Sequence, residues 1–354
     1  MPDDASGSLP PVPRVLRAWY VICTSAELVA GAPPLERSLY GAPIAVWRSA
    51  SGQAAAVRDR CTHRGVPLSA GKVCGEYLQC SYHGWAYDTD GRCQRVPSLL
   101  GEADRQSRSV PAYPVREQQG MVWIWGDPEA APTGEPYTFP WADRPGYLTV
   151  RQQLRAQASL HAVAENALDV PHTAILHGGL FRKDSPERNK ITAVLERTDA
   201  GVSCEYKGEP RPEGLVARIL SPSGGVVIHF DRFHMPCVVE VEYSLGEENH
   251  IINAAALTPV GDHETLLYAV VSIRSRIPGW LLRPVVQPLA LRIFDQDAKV
   301  LLRQTESKRK FGGVQYVSTE VDLLGPHILR LLQRAASGAA EPGEPYRTEI
   351  EMEV

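Results

Sequence analysis

Two short segments that each contain one cysteine and one histidine constrain this chain more than any other feature. They are Cys61-Thr62-His63 and Cys80-Ser81-Tyr82-His83, with sixteen residues between them. Two thiolates and two imidazoles on two loops suit a two-iron cluster in which one iron takes both Cys and the other both His. A structural zinc site is the alternative, because zinc also binds Cys2His2 sets. Zinc fingers, however, pair Cys with Cys and His with His, whereas each segment here is mixed.

The composition indicates a folded protein of two domains. The chain has 354 residues, 44% hydrophobic and 22% charged, and a formal net charge of -4 without a long basic run. These values exclude a nucleic-acid partner on electrostatic grounds. The seven cysteines are an odd number in a long chain, which argues against a disulfide framework. We expect the five outside the mixed segments to be small core residues: Cys23, Cys74, Cys93, Cys204 and Cys237.

The sequence carries no evident membrane or export signal. No apolar stretch approaches the 18 residues that a transmembrane helix needs, and the first residues lack the basic and apolar regions of a secretory signal. The chain is therefore predicted to be cytoplasmic. The apolar, Pro-broken stretch Ile277–Phe294 is either a buried connector or a surface that touches a membrane peripherally.

Hydrophobic patterning divides the chain into an α+β arrangement. Residues 14–127 contain short apolar or alternating runs separated by Gly, Pro and Asp, which predicts an all-β domain. Residues 128–140 have linker composition, and 141–335 alternate further strand-like runs with helical segments, which predicts an antiparallel sheet with helices. The Pro- and Gly-rich residues 1–13 are predicted to be disordered, and 336–354 to be a mobile acidic tail.

A second polar group of residues lies in the apolar run after the linker. Asn166, Asp169 and His172 recur every three residues, so a helix would place them on one face. His177 would leave that face in a straight helix, but Pro171 disturbs the turn and would let both imidazoles converge. A buried histidine is more often a hydrogen-bonded core residue than a metal ligand, so this pair alone does not decide between the two.

A late acidic helix supplies a possible third ligand. Asp295 and Asp297 lie in the run that continues to Gln304. Two histidines and one carboxylate bind ferrous iron while leaving coordination positions open for O2 and substrate. The alternative is an acid on a solvated helix surface. From spacing alone either aspartate could be the ligand.

Three motifs, CTHRG, CSYHGWAYD and N-x-x-D-x-x-H-x-x-x-x-H, together resemble the Rieske non-haem iron oxygenases. The resemblance to the Rieske domain covers about Val15–Asp127. It implies an N-terminal Rieske domain, a C-terminal helix-grip catalytic domain, a 2Fe-2S cluster and a mononuclear Fe(II) that uses O2. By this resemblance the cluster ligands are Cys61, His63, Cys80 and His83. The iron ligands are His172, His177 and Asp297, with Asp295 as the rival carboxylate.

The resemblance also implies an assembly. Asp169 would bridge His172 to His83 of a neighbouring copy, so that electrons pass between subunits of a homo-oligomer, most simply a homotrimer. Asn166 would be a polar group near the iron rather than a ligand. Trp85 stands where the respiratory branch has a serine that bonds the cluster, which implies a lower reduction potential.

The electron source must be a separate protein, because the chain lacks the GxGxxG fingerprint of a flavin or nicotinamide site. A ferredoxin or flavin reductase would therefore pass on electrons from NAD(P)H. We expect hydroxylation or oxidative demethylation of a hydrophobic, polycyclic, sterol-like substrate by this mono-oxygenase. O-demethylation of a small methoxyaromatic acid is the alternative, with Arg218, Arg232 and Arg292 available for the carboxylate. A Rieske electron-transfer or ligand-binding protein without an iron active site is the alternative from another class.

Overall fold

A computed structural model describes most of the chain, namely residues 11–177, 189–209, 227–246, 249–314, 316–339 and 343–353. Two compact units divide it. The first contains residues 15–138 and 258–261, and the second contains residues 139–257 and those from 262 onward.

The first unit is all-β, as the sequence predicts. Its three antiparallel sheets have the strand orders β1-β11-β10, β2-β3-β4-β9 and β5-β6-β7-β8. The strands are β1 Trp19–Thr24, β2 Leu35–Leu39, β3 Ala42–Arg48, β4 Ala54–Arg58, β5 Lys72–Cys74, β6 Tyr77–Gln79, β7 Ala86–Tyr87, β8 Cys93–Arg95, β9 Ala112–Tyr113, β10 Val115–Gln118 and β11 Met121–Trp125. Short 3-10 helices occupy Ser25–Glu27 and Gln106–Arg108.

Apolar runs of this unit form a core directly beneath the mixed Cys/His segments. Cys61 and Cys80 belong to one buried cluster with Trp47, Leu68 and Tyr87. Burial of a large aromatic or aliphatic side chain contributes about 1.5–3 kcal/mol, so the loops rest on a stable base. Cys93 is also buried there, whereas Cys74 is exposed on a short strand. The expectation that Cys74 is a core residue is therefore wrong.

The predicted linker has neither helix nor strand, yet it is hydrogen-bonded to the first unit. Trp19 Nε1 donates to the carbonyl oxygen of Gly134 at 3.1 Å, and Gln118 Nε2 donates to that of Tyr137 at 2.9 Å. Backbone carbonyls of the segment thus satisfy side-chain donors of β1 and β10. Phe139, where the second unit begins, is buried.

The second unit contains one eight-stranded antiparallel sheet with helices, and this confirms the predicted α+β class. The strand order is β12-β18-β17-β16-β15-β14-β13-β19. The strands are β12 Leu148–Ala156, β13 Lys190–Thr198, β14 Gly201–Lys207, β15 Val227–His234, β16 Val238–Leu245, β17 Asn249–Gly261, β18 Glu264–Arg274 and β19 Tyr346–Glu353. Among the described residues the helices are α1 Leu160–Ala167, α2 Val170–Leu176, α3 Gly279–Lys310 and α4 Gly325–Ala336.

The helix predicted across Asn166 and His172 is in fact two helices. Ser159 caps the first by accepting a hydrogen bond from the Ala162 N–H. The chain leaves α1 at Leu168 and is extended at Asp169, and α2 then starts with Pro171 in its first turn. Proline suits that position because the first N–H groups of a helix have no partner within it. Pro171 therefore begins a new helix rather than bending one.

The last described residues correct the prediction of a mobile tail over 336–354. Residues 346–353 form β19, which pairs with β13 from Tyr346↔Arg197 to Glu353↔Lys190. Its acidic residues alternate with Ile350 and Met352, and Met352 is buried. This period of two indicates a half-buried strand. The acidic residues therefore lie on the exposed face of a strand at the edge of the sheet.

The apolar stretch Ile277–Phe294 lies mostly in the first half of α3 and is not a buried connector. Trp280 is 76% exposed, and Leu281, Val285 and Leu291 are also exposed. Within the described part of the chain, no helix is long and apolar enough to cross a membrane. Peripheral membrane contact and a cytoplasmic location stay predictions.

A buried ionic cluster in the sheet has no counterpart in the sequence analysis. His229 Nδ1 lies 2.7 Å from Glu209 Oε2, and His229 Nε2 lies 3.0 Å from Asp231 Oδ1. Tyr206 and Tyr243 stack on the imidazole, with centroids 4.6 and 3.9 Å away. Burial lowers the pKa of His229, but the two carboxylates outweigh it and raise the pKa to about 9. The cluster therefore holds an imidazolium between two acids.

The stability of this unit should depend on the charge of His229. Its pKa is about 9 when folded and near 6.5 when unfolded, so its contribution is complete below pH 6.5 and is lost as pH rises towards 9. We expect His229→Gln to cost about 3–5 kcal/mol, the usual effect of breaking a buried ion pair. Thermal unfolding from pH 6 to 9.5 checks both points, because the variant should lose the decline seen in the parent. Parallel pH profiles would contradict the assignment.

Candidate metal centres

The two mixed segments of the first unit are loops with the same backbone hydrogen bonds. In the first loop Cys61 N–H donates to the Val66 carbonyl and Gly65 N–H donates back to the Cys61 carbonyl, both at 2.9 Å. In the second loop Cys80 N–H donates to the Trp85 carbonyl at 2.8 Å, and Gly84 N–H to the Cys80 carbonyl at 3.2 Å. Each glycine has a positive φ, of 75° and 72°, which a residue with a Cβ adopts at a cost. The two loops therefore have matching backbone frames, with the glycine four residues after the cysteine in each.

The ligand atoms of these loops suit a cluster with two thiolates and two imidazoles. The thiols of Cys61 and Cys80 are almost fully buried. The rings of His63 and His83 lie with centroids 4.4 Å apart, and Trp85 stacks on His63 at 4.7 Å. His63 Nδ1 is buried and no described residue hydrogen-bonds to it. A buried nitrogen without a partner is unstable unless something else binds it, and an iron would do so.

The second unit brings together the two histidines and one aspartate of the predicted iron site. His172 lies in α2, His177 ends that helix, and Asp297 projects from the middle of α3. Asp297 Oδ1 lies 3.1 Å from His177 Nε2 and 3.5 Å from His172 Nε2. One ligand atom from each residue falls within 4.8 Å of the others. The geometry therefore matches a 2-His-1-carboxylate group.

The electrostatics of this group also suit a cation. Asp297 Oδ1 is buried, and no described residue gives it a well-formed hydrogen bond. Burial raises the pKa of Asp297, but the two neighbouring histidines lower it further, below its ordinary value. Burial lowers the pKa of His172, whereas Asp169 and Asp297 raise it to about 9. Two imidazole nitrogens and a carboxylate oxygen that face one another are the ligand set that ferrous iron uses.

Gln296 holds the second histidine and was missed as a functional residue by sequence reasoning. Its Oε1 lies 2.9 Å from His177 Nδ1, so Nδ1 carries the hydrogen and the Nε2 lone pair faces Asp297. Such a partner fixes the tautomer and orientation of a ligand histidine. The only signal in the sequence was its place beside Asp297. The rival Asp295 pairs instead with Lys299 on the exposed side of α3.

Asp169 and Asn166 lie on the approach to α2. Asp169 Oδ2 is 3.4 Å from His172 Nδ1, and its side chain is one-third exposed. Asn166 lies in the last turn of α1, where its carbonyl accepts the N–H of Leu168. The break between α1 and α2 separates Asn166 from the face of His172, so the predicted common helix face is wrong. The bridging role of Asp169 and the near-iron role of Asn166 stay predictions.

Family models match both parts of the chain. Residues 18–114 match the Rieske [2Fe-2S] domain, and residues 156–338 match the vanillate O-demethylase oxygenase C-terminal domain. The second match alone covers just over half of the chain. The chain belongs to the Rieske non-haem iron oxygenase family. The family implies a 2Fe-2S cluster and a mononuclear iron, and the donor sets of the two centres fit these groups.

Curated relatives and solved structures agree with this membership. The chain is 29% identical over 303 residues to Protein TIC 55 of Pisum sativum chloroplasts, covering 81% of this chain and 51% of that protein. It is 34% identical over 182 residues to the dicamba O-demethylase oxygenase component of Stenotrophomonas maltophilia, covering 51% and 53%. The chain thus spans about half the length of these relatives.

The fold itself is that of a solved oxygenase. The crystal structure of dicamba monooxygenase bound to dicamba superposes with a TM-score of 0.79 at 23% identity, over 93% of this chain and 99% of that one. At this identity the likeness shows the fold alone.

Removal of the Gln296 amide should weaken iron binding at the second centre. Gln296→Leu leaves His177 without its acceptor, and loss of such a partner typically costs about 10–100-fold in metal affinity. Competition with a ferrous chelator measures this. Gln287→Leu, an exposed glutamine on the same helix, is the matched control and should bind iron as the parent does. Equal affinities for both variants would show that Gln296 does not support the centre.

Proposed function

We propose that this chain is the terminal oxygenase component of a system that uses O2 and electrons from a separate reductase or ferredoxin. The observation that carries this proposal is the convergence of His172, His177 and Asp297 in a chain that also has the two Cys/His loops. When bound, the cluster supplies electrons and the iron supplies open positions for O2. An electron-transfer protein would not need the second donor set.

The residues divide into holding and orienting groups. The cluster would be held by Cys61, His63, Cys80 and His83. The iron would be held by His172, His177 and Asp297. Gln296 keeps Nε2 of His177 free of hydrogen, and Asp169 lies against Nδ1 of His172. The ring orientations are thus set by the protein, which reduces the reorganisation that metal binding requires.

For the substrate we propose O-demethylation of a methoxyaromatic compound. Such a reaction takes the methoxyarene, O2, two electrons and two protons to the phenol, formaldehyde and water. The proposal is supported by the vanillate O-demethylase family model and the dicamba O-demethylase relative. The comparisons give no support to the sterol-like substrate expected from the aliphatic sequence.

The arginines offered for a substrate carboxylate do not single out an acid. Arg232 donates to Glu240 at 2.8 Å and to Glu242 at 2.5 Å, so two carboxylates already neutralise it. Arg292 is exposed on α3, and Arg218 lies outside the described residues. The proposal is therefore a methoxyaromatic substrate whether or not it bears a carboxylate.

Metal analysis and product analysis together test the function. The parent should contain three irons per chain and, with a generic ferredoxin and reductase, release formaldehyde from a methoxybenzoate or a neutral methoxyarene. Asp297→Ala should keep two irons and lose formaldehyde release. Asp295→Asn should keep all three irons and the release of formaldehyde. Two irons in the parent with no product that depends on O2 would favour an electron-transfer protein. Turnover of a steroid without formaldehyde from any methoxyarene would overturn the substrate proposal.

We also propose that electrons reach the iron from a neighbouring copy of the chain. Asp169 would connect His172 to His83 of that copy within a closed homo-oligomer, most simply a trimer. The partial exposure of Asp169 and its 3.4 Å contact with His172 support this role. A carboxylate that only orients His172 is the competing explanation.

Replacement of the Asp169 carboxylate separates these explanations. Asp169→Asn should retain both metal centres but slow oxidation of the reduced cluster by at least about tenfold, which corresponds to about 1.4 kcal/mol in the barrier. Stopped-flow absorbance of the cluster measures that rate. An unchanged rate would show that electrons take another path.

Mixed oligomers test whether the path runs between copies. Chains with Cys61→Ser should lack the cluster, and chains with Asp297→Ala should lack the iron, so each alone should be inactive. Mixtures that are dissociated and reassembled should recover activity if electrons cross between copies. Inactive mixtures that contain both chains would place the path within one copy.

A further inference from the structure

The hydroxyl of Tyr87 lies between two acceptors at the cluster loops. It is 3.2 Å from Cys61 Sγ and 3.0 Å from Thr62 Oγ1. Tyr87 is fully buried in the core beneath the loops, whereas Thr62 is exposed. The position of the Tyr87 ring is therefore fixed by packing, and its hydroxyl has these two neighbours within reach.

A count of hydrogens decides which group donates. Thr62 Oγ1 lies 2.8 Å from the carbonyl oxygen of Arg108. A carbonyl can only accept, so the single hydroxyl hydrogen of Thr62 is used there. Cys61, as a cluster ligand, is a thiolate and has no hydrogen to give. Tyr87 is then the donor to both neighbours, and it has one hydrogen for two acceptors.

We propose that Thr62 sets the reduction potential of the cluster by competing with Cys61 for the hydroxyl hydrogen of Tyr87. The inference rests on the proposed role of Cys61 as a cluster ligand. A hydrogen bond to a ligand sulfur withdraws negative charge and stabilises the reduced cluster, so it raises the potential. Because the hydroxyl has one hydrogen, its hydrogen bond to the Cys61 sulfur is weakened to the extent that Thr62 accepts that hydrogen. The Thr62 hydroxyl therefore lowers the potential, and the Tyr87 hydroxyl raises it.

The distances favour a shared hydrogen. The 3.0 Å separation between the Tyr87 and Thr62 oxygens is at the long end for an O–H···O bond, whose usual length is about 2.7–2.8 Å. The 2.8 Å bond from Thr62 to Arg108 is of ordinary length. Thr62 is thus held by a good bond on one side and is a weaker acceptor on the other. A modest change at Thr62 should redistribute the hydrogen without moving the tyrosine.

Two substitutions with opposite expected signs test the inference. Thr62→Val removes the competing acceptor and should shift the midpoint potential of the cluster to a more positive value. Tyr87→Phe removes the donor and should shift it to a more negative value. In the double variant there is no tyrosine hydrogen left to compete for, so its potential should equal that of Tyr87→Phe. Spectroelectrochemical titration of the whole protein, followed by visible circular dichroism, measures all three.

Controls separate this inference from the cluster assignment. Thr62→Ser keeps the hydroxyl and should titrate with the parent, and Thr62→Ala replaces Thr62→Val if the valine variant fails to assemble a cluster. A parent without a Rieske spectrum would overturn the ligand assignment. An intact spectrum with the potential unchanged or lowered on loss of the Thr62 hydroxyl would overturn the inference alone. The inference would also fail if the valine shift persisted in the absence of the Tyr87 hydroxyl.

Discussion

The helices of the second unit hold a buried carboxylate oxygen against two imidazole nitrogens. Asp297 Oδ1 lies 3.1 Å from His177 Nε2 and 3.5 Å from His172 Nε2, and these two imidazoles hold the pKa of the carboxyl below its ordinary value despite its burial. The surrounding elements keep the three groups together. α2 begins at Val170, after the extended residue Asp169, and α3 brings Gln296 against His177. The three side chains are therefore positioned for a metal ion by the helices that carry them.

In the first unit the candidate metal ligands are positioned mainly by backbone hydrogen bonds rather than by side-chain contacts. Each loop is closed by the same pair of backbone hydrogen bonds around its cysteine, and a glycine with positive φ completes each turn. His63 lies two residues after its cysteine and His83 lies three residues after its own, yet the backbone frames of the two loops are alike. Because the frames rest on a buried aromatic core, their position does not depend on the metal alone.

The parts of this structure that were predictable from sequence are those encoded by neighbouring residues. The Cys/His loops and the all-β and α+β division follow from local residue patterns, whereas the choice of His172, His177 and Asp297 as iron ligands came from the family resemblance. The break at Leu168 was hidden, because Pro171 is compatible with either a bend or a new start. Gln296 escaped because its partner His177 lies on another helix, and the cluster around His229 escaped because Glu209 and the two stacking tyrosines come from other segments. Such pairing across the chain leaves no local pattern to read.

The strand β19 has a consequence for how the second unit is made. Its partner β13 lies roughly 150 residues earlier in the chain, so on the ribosome β13 emerges long before the strand that covers its outer edge. At about 5–20 residues per second this interval lasts on the order of ten seconds. During that time the sheet presents an open row of backbone donors and acceptors to other nascent chains. Synthesis of the last strand therefore competes with edge-to-edge association of nascent chains. Slower translation of residues 200–345 would favour aggregation.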